Sequence, residues 1–386
     1  MSKFDNEYID LCKKILNEGV EVQNRTGVNS LKIPTYSFEF DLSKEFPILQ
    51  SKQTFIRQAI IEMLWIWQMQ SNDVRELHKR NVHIWDEWMV DGDGIYRIYE
   101  ADIEKTPYDP DRKVPVFGNF IVNEDNRYGN DIPIFDKNHK IMYAKSKIEG
   151  KNIKAAKYFG PEYAYTIGTA YGYITNRYKH TQNLINTLKN NPNDRRMVKS
   201  LWQDDFIRTA VLPSCVWSTE WDVTGDKLSL LVHQRSCDVP LGLPFNVPQY
   251  SAMLMMISQV TGLKAGMIQY SIKDAHIYVN QIKEIEEQIR RWEHYNLLRK
   301  KKSANDLINN KKSLEFALSC DLMDKVREAV QAELNVVNLA LSIKKPELVI
   351  NPNVDDFFKF DNSKDLNDVT IKNYRHLGKI KIPRVQ

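Results

Sequence analysis

Cysteine is scarce in this chain: Cys12, Cys215, Cys237 and Cys320 are all it has in 386 residues. Their spacing lacks zinc-type pairing, and a chain of this size does not need disulfides to hold a core. No apolar run reaches the about 18 residues of a membrane span. The polar start, Met-Ser-Lys-Phe-Asp-Asn-Glu, has no apolar core of the secretory kind. Glycine and proline, at 15 each, are too few for a collagen-like repeat or a disordered chain. Charge of one sign is also missing, since 54 Lys and Arg face 50 Asp and Glu for a net +4. Nucleic-acid binders show a stronger and more clustered excess. A reducing, cytoplasmic setting is expected, with no membrane and no nucleic acid as partner.

What is present is a globular balance, 42 % apolar and 27 % charged. The segment 54–70, TFIRQAIIEMLWIWQMQ, places Ile56, Ile60, Leu64 and Trp67 on a helical stripe. A second helical pattern at 250–260 stops at Thr261-Gly262, where Gly supplies a left-handed cap. In 227–235, Leu228, Leu230 and Val232 alternate with Ser229, Leu231 and His233, the pattern of a half-buried strand. Further strands are expected at 30–41, 215–223 and 266–273. The mixture predicts an α+β fold rather than a regular βαβ alternation.

Two regions differ. Residues 100–160 are rich in Pro, Asp, Asn, Lys and Tyr without a sustained period, which predicts a surface insertion. Residues 281–345 are helical and charged. In them Leu314, Leu318, Leu322, Val326, Val330, Leu334, Val337 and Leu341 step mostly by four up to Pro346, which predicts a coiled helical hairpin on the main body. The basic run RKKKS at 299–303 reads as a solvated helix end.

The densest chemistry lies in 212–246. Cys215 follows Pro213-Ser214 in a strand-like context, with Arg235 across the next strand pair; a thiol beside guanidinium groups gains thiolate character. A lone Cys is otherwise an inert buried residue more often than a nucleophile. Arg25, Arg195, Arg196 and Arg235 are suited to phosphate through paired hydrogen bonds, although surface ion pairs are the ordinary use of arginine.

Seven motifs occur together: NRTG at 24–27, IIEMLW at 60–65, IWDEW at 84–88, DRRM at 194–197, LPSC at 212–215, QRSCDVPLGLPFN at 234–246 and DAHIYVNQ at 274–281. With them the chain resembles the thymidylate synthase family, which includes the phage deoxypyrimidine-nucleotide hydroxymethylases. The resemblance covers most of 1–100, 165–282 and 346–386. It implies one catalytic domain over 1–386, a large mixed sheet packed with helices and dimerising through the sheet, and two atypical insertions at 100–160 and 281–345. It also implies 5,10-methylenetetrahydrofolate as co-substrate, dUMP as nucleotide and no metal.

By motif, Cys215 resembles the nucleophile that adds to C6 of the pyrimidine. Arg25, Arg235 and Ser236 resemble the phosphate ligands, and Arg195 and Arg196 the pair donated by the other subunit of a homodimer. His276 and Tyr278 resemble the sugar-hydroxyl ligands. Asn246 matches the amide that reads the base; its acceptor and donor suit N3–H and O4 of uracil. Glu62 occupies the proton-relay carboxylate position, and Tyr171 the position that assists loss of the C5 proton. Asp238 falls in both the catalytic and the folate sets. Ile84, Trp85, Trp88, Asp238, Leu241, Gly242 and Phe245 match the folate wall, and Lys52 the residue near the folate tail.

Four departures bear on the reaction. Val216 stands where synthases usually have His, Tyr173-Ile174-Thr175-Asn176 replaces a Gln-Trp-Arg segment, Pro383-Arg384-Val385-Gln386 replaces an apolar end, and Gln53 replaces Arg. A leaky lid admits water to the C5 methylene intermediate. The resemblance with these departures therefore points to a dUMP hydroxymethylase, as of a virus acting in its host's cytoplasm, with thymidylate synthase as the alternative. A catalytically idle relative that binds partners through 281–345 is a third reading.

Overall fold

The computed structural model describes residues 3–24, 26–99, 121–122, 132–136, 138, 140–145, 147–148, 151–342 and 344–385. The chain opens with helix α1 (Lys3–Glu18), whose Phe4, Tyr8, Leu11, Cys12 and Ile15 recur at helical spacing and are buried. Strands β1 (Val20–Val22) and β2 (Ser30–Asp41) follow, then helices α2 (Ile56–Trp67) and α3 (Val74–His78). Strands β3 (Ile95–Tyr99), β4 (Ile121–Val122), β5 (Ile132–Phe135), β6 (Ile141–Ala144), β7 (Lys147–Ile148) and β8 (Lys151–Tyr158) come next.

Helices α4 (Gly172–Arg177) and α5 (His180–Asn190) precede strands β9 (Val198–Ser200), β10 (Val216–Thr224), β11 (Lys227–Gln234) and β12 (Cys237–Asp238). Helix α6 (Leu243–Thr261) and strand β13 (Lys264–Tyr278) complete the central body. Helices α7 (Ile282–Lys301), α8 (Ala304–Ser319) and α9 (Asp324–Ala340) lead to a two-stranded ribbon, β14 (Glu347–Ile350) and β15 (Val369–Lys372).

The central sheet has seven strands in the order β1-β2-β13-β11-β10-β9, with β12 also paired to β13. It is mixed: β13 runs parallel to β11 and β12 and antiparallel to β2. The α+β expectation is therefore met, and each predicted strand of the body is present. Leu228, Leu230 and Val232 point inward in the anticipated alternation, and Gly262 caps α6 at φ 73°. On one face of β13, Ile268, Tyr270 and Ile272 are fully buried, against α6. Helix α2 packs in turn on α6.

Two expectations change. Helix α2 is buried from Ala59 through Trp67, not along a stripe, because its Ile, Met, Leu and Trp surround the axis. The charged segment 281–345 forms three helices rather than a hairpin alone. Of its expected apolar ladder, Leu334 and Val337 are buried while Val326 is 39 % exposed, so only the half of α9 near the body gains cover. Segment 100–160 falls largely outside the described residues; β3, just before it, pairs antiparallel with β8, at its end.

Candidate active site

One cavity of about 1440 Å³ opens at the end of the sheet where β10 starts and β11 and β13 finish. Sheet register brings its residues together. Val216, which follows Cys215, pairs with Gln234, and a register irregularity between Val216 and Ser218 bends β10 at its start. Asp238 lies opposite His276, and Lys32 lies opposite His276 on the other side. Helix α6 begins at this end with Pro244 in its first turn, which positions Phe245 and Asn246 over the cavity.

Cys215 shares the cavity lining with Glu62, Tyr171, Arg235, Ser236, Asp238, Asn246, His276 and Tyr278. The Cys215 amide N–H donates to the Tyr171 hydroxyl at 2.8 Å. Tyr171 has φ 45°, a left-handed conformation unusual for an aromatic residue and a store of local strain. The next position tolerates only Gly172, because a Cβ there would collide with the Ser71 carbonyl. Burial raises the Tyr171 pKa, which keeps the phenol protonated.

The Arg235 guanidinium embraces the loop before the thiol, donating to the carbonyls of Ser214 at 3.0 Å and Pro213 at 2.6 Å. Its backbone N–H reaches the Cys215 carbonyl at 2.9 Å. Ser236 donates to Asp274 at 2.8 Å, and Asp274 also pairs with Lys32 at 3.0 Å.

Glu62 accepts from the Trp85 indole at 2.6 Å and from Gln249 Nε2 at 2.8 Å. Burial outweighs both hydrogen bonds and pushes its pKa up to about 7. A carboxyl poised near neutrality can both give and take a proton. Burial likewise raises the Asp238 pKa, opposed first by His276.

Asn246 is held by two partners. Its Oδ1 accepts from Gln234 Nε2 at 3.2 Å, and the same nitrogen donates to the Ser236 carbonyl at 3.2 Å. A backbone carbonyl only accepts, so this chain orients both amides. Tyr270 donates to the Asn246 carbonyl at 2.6 Å.

The wall is apolar. Ile84, Trp85, Trp88, Leu241, Gly242 and Phe245 line it, with Trp85 edge-on to Trp88 at 5.6 Å and to Tyr171 at 5.5 Å. The C-terminal tail enters as well: Arg384 and Val385 are lining residues. Gln281, fully buried, donates to Asp238 Oδ2 at 3.2 Å and to the Pro383 carbonyl at 3.0 Å. Arg384 lies 3.5 Å from Glu87.

The expected site is not gathered whole. Arg25 lies outside the described residues. Arg195 and Arg196 do not line the cavity; the Arg196 side chain is 86 % exposed and pairs with Asp194 at 2.9 Å. Lys52 also stands apart from the lining: it is buried and donates to the Pro240 carbonyl at 2.6 Å, and burial brings its pKa down to about 8. A cation with its head taken by a backbone carbonyl is not presented to a ligand here.

Sequence reasoning passed over Gln234, Gln249 and Gln281. Gln234 opens QRSCDVPLGLPFN and Gln281 closes DAHIYVNQ, and Gln249 lies three positions after Asn246, on the same helical face; that spacing is the available signal.

The thymidylate synthase family model matches residues 6–319. A thymidylate synthase of Clostridium beijerinckii is 35 % identical over 291 residues, 75 % of this chain and 83 % of that one. A thymidylate synthase of Bacillus phage phi3T is 28 % identical over 98 % of both chains. Among solved structures, thermostable thymidylate synthase A from Bacillus subtilis superposes with TM-score 0.62 at 26 % identity, covering 99 % of each chain. The sheet-end cavity holds a thiol, a buried carboxyl and an oriented amide, a donor set that suits a one-carbon transferase of this family. The chain belongs to the thymidylate synthase family. Among the described residues no helix is long and apolar enough to cross a membrane.

Proposed function

We propose that this chain is a thymidylate synthase, converting dUMP and 5,10-methylenetetrahydrofolate to dTMP and dihydrofolate. The observation that carries this reading is the tail: Gln281 holds the Pro383 carbonyl, Glu87 pairs with Arg384, and Arg384 and Val385 line the cavity. A docked tail keeps water from the C5 methylene stage. Two further features support it. None of Tyr173-Ile174-Thr175-Asn176 lines the cavity, and Thr175 donates inward to the Ile66 carbonyl at 2.6 Å. Relatives named thymidylate synthase match across 98 % of this chain.

The residues divide the work as follows. Cys215 adds to C6 and leaves at the end. Asn246 reads N3–H and O4. Glu62 relays protons to O4 and the folate nitrogens. Tyr171 assists removal of the C5 proton. Arg235 and Ser236, with Arg25, bind phosphate, and the partner subunit adds Arg195 and Arg196. His276 and Tyr278 hold the sugar hydroxyl. The cavity exceeds the about 1,000 Å³ of a large single-ligand pocket, and its apolar wall at Trp85, Trp88, Leu241 and Phe245 fits folate rings; the folate supplies the one-carbon unit and the reducing hydride. A homodimer fits the sheet face opposite α6, where Trp217 is 37 % exposed and lies 5.4 Å from His233.

The hydroxymethylase reading keeps two observations, the missing His at Val216 and Gln53 in place of Arg. Tritium release from C5-labelled dUMP, followed with dihydrofolate formation, separates the two. Equal rates of both are expected; tritium release without dihydrofolate would favour the hydroxymethylase.

A further inference from the structure

Outside the cavity, α3 and the segment after it bring two imidazoles and a carboxylate together. His78 Nε2 is 2.6 Å from Asp86 Oδ1, and His83 Nδ1 is 3.0 Å from Asp86 Oδ2. The two rings stack with centroids 4.9 Å apart and planes at 25°. All three ligand atoms lie within 4.8 Å of one another. None of these residues lines the cavity, and the function proposed above does not use them.

We propose that His78, His83 and Asp86 form a binding site for a divalent transition metal of the zinc class. Two imidazole nitrogens and one carboxylate oxygen suit such ions and not Mg²⁺ or Ca²⁺, which prefer all-oxygen shells. Tetrahedral bonds of about 2.0–2.1 Å place ligand atoms on the order of 3.3 Å apart. The present separations of 2.6 and 3.0 Å, and the 4.8 Å limit, bracket that value, so side-chain rotation alone admits the ion. The His83 side chain is 57 % exposed and that of Asp86 42 %, which leaves an entry path and an open fourth position for water. The ion would be held by Asp86, whose two neighbours face the site already described: Trp85 donates to Glu62 and Glu87 meets Arg384. A bound ion therefore pins the tail's docking segment.

The test is a Co²⁺ titration of the full chain, because tetrahedral Co²⁺ has intense visible bands and thiolate ligands add a charge-transfer band of their own. One equivalent without the thiolate band is expected. Loss of an outer-shell partner alone typically weakens metal binding about 10–100-fold, so His78→Ala, His83→Ala and Asp86→Asn should each cost at least about tenfold. All three side chains are solvent-accessible, and the variants should keep the wild-type circular dichroism spectrum. No binding, a thiolate band from Cys215 or Cys320, or unchanged affinity in any of the three variants would overturn the site.

Discussion

The Trp85 indole N–H donates to Glu62 Oε1 at 2.6 Å, so the residue at the centre of the aromatic wall also fixes the buried carboxyl. The two are 23 positions apart in sequence, one on α2 and one in the IWDEW segment. Through this bond, whatever moves the wall moves the buried carboxyl.

Stability should carry the signature of Glu62. Its pKa rises from 4.5 to about 7 on folding because burial disfavours the charge. A raised folded pKa gives stability that is fully present below the unfolded value and is lost as pH rises through about 7. At 1.36 kcal/mol per pKa unit, the loss amounts to about 3 kcal/mol. The unfolding free energy of wild type minus that of Glu62→Gln, measured by denaturant titration from pH 4 to pH 8.5, should fall across this window. A flat difference would mean that Glu62 ionises normally.

Replacing Cys215 with Ser should lower turnover by at least about 10³-fold while leaving nucleotide binding intact, since an alcohol is far less ionised than a thiol. Tritium release from C5-labelled dUMP measures the first, and equilibrium dialysis the second. Release at the wild-type rate would remove Cys215 from its role.

Asn246→Asp should shift the dUMP-to-dCMP preference on the order of 10²-fold, because an amide oriented to satisfy uracil leaves cytosine unpaired and a carboxylate reverses this. Competition between the two nucleotides reads the ratio. An unchanged ratio would assign base reading elsewhere.

Gln281→Leu should loosen the tail. Each lost hydrogen bond is worth about 0.5–1.5 kcal/mol, so the folate KM should rise about tenfold with little change in nucleotide affinity. A change in nucleotide affinity with an unaltered folate KM would contradict the tail's part in closing the folate end.

Mixing Arg196→Ala and Cys215→Ser subunits should restore activity if sites are shared. Random exchange yields half heterodimers with one intact site each, about a quarter of wild-type activity. No recovery after demonstrated exchange would argue for self-contained sites.

How far the sequence could be read differs by residue. Strand β11 was legible because one buried face forces a period of two, and the end of α6 because Gly262 alone there takes a left-handed turn without strain. The burial of α2 on every side was not, since the layer beneath it is made by distant segments. Cys215, Glu62 and Asn246 were found through motif order; their convergence depends on the registers β10–β11 and β12–β13, which local sequence does not encode. The glutamines 234, 249 and 281 escaped because a neutral amide carries no charge pattern, only a geometry. Arg196 and Lys52 show the opposite limit: a motif match names a position without saying which way the side chain is turned.

Hydride or water at the C5 methylene decides the reaction, and isotope transfer reads that choice at the atom concerned. The enzyme would be incubated with dUMP and methylenetetrahydrofolate deuterated at C6 of the pterin, in water enriched in oxygen-18, and the nucleotide product analysed by mass spectrometry. The expected product is dTMP with one deuterium in its methyl group, formed in step with dihydrofolate. 5-Hydroxymethyl-dUMP bearing oxygen-18 and no deuterium, with tetrahydrofolate released, would contradict the synthase assignment.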